Sequence, residues 1–287
     1  SKPMSLWAIQ IMNGISFGML LFLLAAGLTL TFGLMNILNL THGSYYLLGG
    51  YVGLTVANST GSFVLAIVAG SVFVGIVGVL MQRGLLNTFG RDEMGQILIT
   101  FGLLFLFADL SLWAWGGTPR TIPKPSLFST SFPVGDVMFP SYRLLLVGFG
   151  FAVALFLWWF QEGTKVGAKV RASVDDAEMS QGVSVNVPLV MTGVFALGAV
   201  LAGAAGVFGG PLVGVYPGVD FDVMLLAFVV VIVGGVGSLK GALVGALVVG
   251  LLDTFGRAFM PEFSLFAIFA PMAIILLVRP GGLLPRT

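Results

Sequence analysis

Cysteine is absent from this 287-residue chain, and histidine occurs once, at His42. Disulfides, thiolate metal sites and cysteine nucleophiles are excluded, and no His-rich metal cluster can be assembled. Charge is also scarce. Asp, Glu, Lys and Arg make up 9% of the residues, where a soluble domain carries roughly 25%. The net charge is +1 and there is no basic tail, so nothing favours nucleic acid. No G-x-x-x-x-G-K-[ST] segment occurs, so the usual cradle for nucleotide phosphates is missing. An enzyme would need a nucleophile with its base, or a metal, and one histidine without cysteine leaves little to build either.

What the chain has in abundance is apolar surface: 57% of its residues are hydrophobic and the mean hydropathy is +1.06. No soluble core could bury this much, so the solvent is lipid. Apolar runs near the length that crosses ~30 Å of hydrocarbon fall at 6–32, 44–58, 62–81, 96–116, 142–160, 188–208, 223–237, 239–256 and 262–279. They do not alternate apolar with polar, which sets aside a β-barrel. The expected fold is all-α: a polytopic helical bundle of eight or nine membrane segments, some interrupted, forming one domain over 1–287. The start has no charged stretch followed by a cleavage site, so the first run is expected to be a retained span. The 41 glycines suit helices that pack backbone to backbone. Small-xxx-small pairs recur at Gly14/Gly18, Gly49/Gly53, Gly206/Gly210, Gly210/Gly214, Gly237/Gly241 and Gly241/Gly245.

Three connections hold most of the polarity. Residues 82–95 carry four charges, 117–141 carry five prolines and read as an extended external loop, and 161–187 carry seven of the charged residues. Lysine and arginine placement puts 82–95, 161–187 and the C-terminus together in the cytoplasm, with Arg83, Arg91, Lys165, Lys169, Arg171, Lys240, Arg279 and Arg286. Lys2, Arg120, Lys124, Arg143 and Arg257 fall outside. Nine spans would place the N-terminus outside.

Within 161–187, "SVDDAEMSQG" reads as a short helix over 173–182. Ser173 is the expected N-cap, with Asp176 three residues on as in a capping box. Asp175 and Asp176 oppose the helix dipole, and Gly182 suits the position after the last turn. A charged, capped helix of this kind is either a docking knob for a soluble partner or a solvated connector. The stretch "NILNLTHGSYYLLGGYVG" (36–53) interrupts the apolar pattern. Irregular backbone at membrane depth is tolerated where it lines a cavity or is buried in protein, and broken helices are how transporters present polar groups to substrates. Asn36, Asn39, Thr41 and His42, with Tyr45 and Tyr46, are expected at a break or re-entrant turn facing a translocation path. The alternative is a polar loop at the bilayer edge with both tyrosines as interfacial anchors. Residues 206–222 are a second interruption, with Asp220 and Asp222 expected to cap or solvate an outer loop. Asp109 is the sharpest intramembrane charge, placed either toward the path or at the interface near Trp113 and Trp115. Asp253 and Arg257 are spaced for a structural i,i+4 pair.

Three segments together carry a resemblance: "GLTLTFGLMNILNLTHGSYYLLGGYV" (27–52), "GAKVRASVDDAEMSQGVSVNVPLVMTGVFALGAVLAGAAGVF" (167–208) and "VVVIVGGVGSLKGALVGALVVGLL" (229–252), with the "RPGGLLP" ending. The chain resembles LivH-type permeases, the membrane subunits of branched-chain amino-acid ABC importers. The resemblance implies a bacterial inner-membrane protein with a cytoplasmic C-terminus. It implies a second, LivM-like permease subunit, two cytoplasmic ATPase subunits and a periplasmic substrate-binding protein as partners. ATP and Mg would be held by the ATPases, and no cofactor by this chain. Arg171, Ala172, Asp175, Asp176, Ala177 and Gly182 take the coupling role by position. The expected cargo is a small amino acid, branched-chain first, with sibling importers for urea, amides or small organic or aromatic acids as the alternative. A secondary transporter or channel is the reading from another class. It would need an autonomous coupling site such as paired intramembrane carboxylates, and Asp109 has no obvious partner in sequence.

Overall fold

The structure is a computed structural model describing residues 2–35, 39–89, 92–135 and 137–285. The helices in chain order are α1 (Lys2–Met35), α2 (His42–Thr60), α3 (Phe63–Met81), α4 (Asn87–Phe89), α5 (Glu93–Trp115), α6 (Ser141–Gly163), α7 (Lys165–Asp175), α8 (Ala177–Gly182), α9 (Val187–Gly209), α10 (Val219–Gly234), α11 (Leu239–Phe259) and α12 (Ser264–Val278). Each of the nine expected apolar runs is a helix. Among the described residues, seven helices are long and apolar enough to cross a membrane, and α2 and α10 are not among them. The 16 residues of α10 rise only about 24 Å, and α2 carries histidine, serine, tyrosine and threonine among its apolar residues.

Both halves of the chain repeat one order: a long helix, a break, a buried helix, then a spanning helix entered through Gly-Ser. Gly61 (φ 68°) precedes Ser62, whose side chain accepts from the Leu65 amide to cap α3. Gly237 (φ 79°) precedes Ser238, which accepts from the Gly241 amide to cap α11. The serines match in backbone angles, φ −105° and ψ 114° against φ −103° and ψ 112°. The halves also interlock: α2 and α3 pack on α9, while α10 and α11 pack on α1. This is the internal repeat that paired interruptions suggest, expressed in topology more than in residue identity.

The core is α1, α2, α9 and α10. Of the apolar stretch of α1, 78% is buried, against 6% for that ending in α12. Helices α3, α5, α6 and α12 expose large apolar side chains such as Val64, Leu98, Leu155 and Leu277, a surface suited to lipid or to another membrane chain. Glycine sets the inter-helix distance. A Cβ on Gly49 would lie 2.5 Å from the Gly203 backbone, and one on Gly206 only 2.0 Å from the Tyr46 carbonyl oxygen. Gly14 and Gly18 face α11, and Gly241 and Gly245 face α10. Two expected pairs are not helix faces: Gly214 (φ 87°) and Gly237 lie in turns with positive φ.

Close contacts assign the ends of the helices to two faces. Gly33 meets Gly237, and the amides of Leu283 and Leu284 donate to the carbonyls of Val233 and Gly234, so the tail satisfies the open end of α10. The tail, the 235–238 turn and the end of α1 therefore share one face, and α7 joins them, with Val170, Arg171 and Val174 beside Gly33 and Gly237. On the other, Arg120 pairs with Val215 through two backbone hydrogen bonds, which joins the 117–141 connection to the second break. In this arrangement the 161–187 connection lies with the tail, and the 117–141 connection with the second break. Two connections are more ordered than expected. Residues 82–89 continue α3 through a π-helical turn (Gln82–Leu86) into α4. The 117–141 segment contains an antiparallel hairpin, β1 (Ser131–Val134) with β2 (Val137–Pro140), and buries Ile122.

Candidate functional site

The break before α2 ends deep in the bundle. Residues 36–38, and with them Asn36, lie outside the described residues. By His42 the chain is back at the level of Leu24, whose carbonyl oxygen is 2.9 Å from the imidazole Nε2. Leu24 lies about 16 Å of helix rise before the end of α1. Asn39 organises the turn: its Oδ1 accepts from the Thr41 amide at 3.1 Å and from the Thr41 hydroxyl. The Tyr45 hydroxyl reaches Met81 Sδ at 3.4 Å, and its ring meets His42 and Phe195 edge-on. Tyr46 lies against Gly206 and Gly209. Asn39, Thr41, His42, Tyr45 and Tyr46 are all buried, with Tyr45 at 0% and Tyr46 at 1% exposure. Interfacial anchoring by these tyrosines is thereby corrected: Gly209 of α9 leaves space that the Tyr46 ring fills, and the Tyr45 ring packs on Phe195.

The second break meets the first. A Cβ on Gly43 would lie 2.4 Å from the Asp220 carbonyl oxygen, so the N-terminal ends of α2 and α10 converge. Asp220 is 2% exposed, and its carboxylate accepts from the Gly218 amide at 3.0 Å. It caps as expected but is not solvated, whereas Asp222 is exposed. Around this junction Asn39 Nδ2, His42 Nδ1, Ser44 Oγ and the Tyr46 hydroxyl are buried without a hydrogen-bond partner among the described residues. Buried polar groups in native proteins are nearly all paired, so this concentration marks the junction as more than packing.

The 161–187 connection is an elbow of two helices, not one helix over 173–182. Thr164 caps α7 by accepting from the Gly167 amide at 2.9 Å. Helix α7 runs through Ser173, which is buried in its interior. Asp176, extended at φ −154° and ψ 98°, ends α7 and caps α8, its Oδ1 accepting from the Met179 amide at 2.8 Å. The capping role therefore belongs to Asp176 and not to Ser173, because a second cap at Thr164 starts the helix earlier. Gly182 is the last residue of α8, and the positive φ falls on Ser184 instead. Val170, Ser173 and Ser180 seat the elbow on the bundle. Ala172, Asp175, Asp176 and Gly182 are exposed, Ala177 is half-buried, and Arg171 is partly buried 3.8 Å from Glu162. Met179 and Val183 project beyond them as exposed apolar side chains.

A family model described as "Branched-chain amino acid transport system / permease component" matches residues 10–277. The chain belongs to this permease family. It is 28% identical to the high-affinity branched-chain amino acid transport system permease protein LivH of Escherichia coli K12, over 96% of this chain and 95% of that one. The corresponding permease BraD of Pseudomonas aeruginosa is 26% identical, over 96% of this chain and 95% of its own length. The ribose import permease RbsC of Haemophilus influenzae is 27% identical over 66% of this chain and 58% of its own length. No solved structure matches.

In this permease Asp109 does not join the buried cluster. It lies on the exposed side of α5, close in sequence to Trp113, which is 87% exposed. The Asp253–Arg257 pair is present as expected, with Arg257 Nε 2.9 Å from both carboxylate oxygens. Sequence reasoning missed Asp220 as a buried group, although its position in the first turn after an interruption is the signal that marks it. It also missed Gln82, a buried amide that accepts from the Thr192 hydroxyl and donates to Asn87. This contact ties the end of α3 to α9.

Proposed function

We propose that this permease is the membrane-spanning subunit of an ATP-driven ABC importer that translocates a small amino acid, branched-chain first, delivered by a periplasmic binding protein. Membership of the family over nearly the whole chain supports the permease role, and the α7–α8 elbow carries the coupling part of the reading. A doubly capped elbow with exposed Met179 and Val183 beside Asp175 and Asp176 is a rigid projection that a soluble domain can grip. ATP and Mg then belong to two ATPase subunits. Arg171, Ala172, Asp175, Asp176, Ala177 and Gly182 transmit their closure to α6 and α9, which flank the elbow. The elbow face, with the C-terminus, is the cytoplasmic side of a bacterial inner membrane.

The path runs by the junction of the two breaks, lined by Asn39, Thr41, His42, Tyr45 and Tyr46. Two helix N-termini converge there, and their positive ends favour a substrate carboxylate. Co-purification from native membranes followed by reconstitution tests the reading. Two ATPase chains, a second permease and ATP-dependent leucine uptake are expected. A chain that purifies alone and moves a solute without ATP overturns it.

A further inference from the structure

Residues 116–122 form a strap across the second break, on the face opposite the elbow. Its root is fixed. Trp115, the last residue of α5, stacks on Tyr51 of α2 with ring centroids 4.8 Å apart, and its indole N–H donates to Thr55 Oγ1 at 2.9 Å. Gly116 (φ 81°) and Gly117 follow and make a joint, since glycine turns through angles closed to other residues. Beyond the joint the strap touches down at two points. Arg120 and Val215 exchange both backbone hydrogen bonds, at 3.0 and 2.7 Å. Ile122, 2% exposed, occupies the place of a side chain at Gly210, where a Cβ would lie 2.4 Å from its Cδ1. Gly214 makes room in the same way: a Cβ there would lie 3.3 Å from the Arg120 carbonyl oxygen. The Gly210/Gly214 spacing therefore receives the strap.

Under the strap lies the break, and under the break lies α2. The methyl groups of the buried Val215 sit 3.2 and 3.3 Å from the place of a Cβ on Gly50. Next to Gly50, Tyr51 is within electrostatic reach of both Arg120 and the buried Asp220. The junction at Gly43 and Asp220 is on the inner side of this stack, because α2 starts at the level of Leu24 and Gly50 is about 10 Å of rise further along it. The strap is lightly attached. Ile122 is the one buried side chain among the described residues from Gly116 to Lys124. Pro119 and Pro123 have no amide hydrogen with which to extend the bridge into a ladder. Segments with so few buried contacts open locally, and lids are drawn from them. We propose that this strap is a gate. It closes the junction from the face opposite the elbow, and opening there lifts Ile122 from Gly210 and parts Arg120 from Val215 while the chain turns at Gly116–Gly117. The proposal rests on the path assigned to the junction above.

The cysteine-free chain allows a cross-link to test it. A Cβ on Gly210 would lie 3.0 Å from the Ile122 Cβ, and a disulfide needs about 3.5–4.5 Å. Ile122→Cys with Gly210→Cys can therefore be bridged by a small shift once the isoleucine branches are gone. In the co-purified complex in vesicles, oxidation of this double variant should cut ATP-dependent leucine uptake about tenfold or more, because a locked lid stops turnover. A thiol reductant should restore uptake, the partner subunits should co-purify equally in both states, and neither single variant should respond to the oxidant. Loosening the gate should act the other way. Ile122→Ala should raise several-fold the labelling of Ser44→Cys, at a buried hydroxyl next to Gly43, by a water-soluble thiol reagent without nucleotide. Undiminished uptake by the cross-linked complex would overturn the proposal. If labelling at 44 still rose on nucleotide binding in that complex, the path would stand and the strap would be a static cover. If labelling at 44 never rose in any state, the path itself would be misplaced and the gate would fall with it.

Discussion

The imidazole Nε2 of His42 and the main-chain carbonyl oxygen of Leu24 lie 2.9 Å apart, which ties the first residue of α2 to the interior of α1. That carbonyl belongs to a helix, so the histidine adds a second hydrogen bond to it and pins the re-entry depth of the chain. His42→Ala leaves the Leu24 oxygen without this donor and opens space beside Gly27. It should cost about 1–3 kcal/mol, read as a lower unfolding temperature in detergent. An unchanged midpoint would show that the break is held by Asn39 and Thr41 alone.

Cysteine substitutions on this cysteine-free chain can report whether the junction opens. Cysteines at positions 39 and 42 should resist a water-soluble thiol reagent in the conformation described here, since both residues are buried. In the assembled transporter, labelling should rise when the ATPases bind nucleotide. Protection in every nucleotide state would make the junction a packing device and remove it from the path.

Glycine contacts separate packing from mere composition. Gly206→Ala would place a methyl group against the Tyr46 carbonyl oxygen, and overpacking of this kind costs about 1–3 kcal/mol or more. Gly102→Ala, where a Cβ meets nothing within 4 Å, should instead stabilise α5 by about 0.5–1 kcal/mol. Thermal unfolding of the two variants should move in opposite directions. Loss of stability in both would mean that the α5 surface is covered in the assembly.

At the elbow, Asp176→Asn keeps a good cap while Asp176→Arg removes it. The first should leave transport near wild type. The second should lose about 1 kcal/mol of local stability and uncouple ATP hydrolysis from uptake while the bundle stays folded. Met179→Glu places charge on the exposed apolar tip and should weaken capture of the ATPase subunits in co-purification. Normal assembly and coupling in both Asp176→Arg and Met179→Glu would show that the elbow is a solvated connector.

Much of the architecture was legible because lipid imposes simple rules. Helices α3, α5, α6, α9 and α12 are long apolar runs whose ends match the charged or glycine- and proline-containing connections. The elbow was visible as a capped, charged segment, but its first cap was not. Thr164 and Ser173 are equally good cap residues in sequence, and only the path of α7 decides between them. The break at 36–41 was legible as a break, yet not its depth or its packing. Tyrosine, asparagine and histidine suit a membrane surface as well as a buried turn. The glycines of α9 that receive Tyr46 lie far along the chain, at positions 206 and 209.

By itself the sequence determined the solvent, the helical class, the side shared by the 161–187 connection and the tail, and the family. Each follows from local properties: run length, charge placement and motifs read in order. Tertiary structure alone decided that the two interrupted helices meet end to end at Gly43 and Asp220, that Asp109 faces outward, and that Ile122 settles on Gly210. These depend on which helices are neighbours. In a chain this rich in glycine, many helix faces are smooth enough to pack, and sequence spacing does not say which pair will.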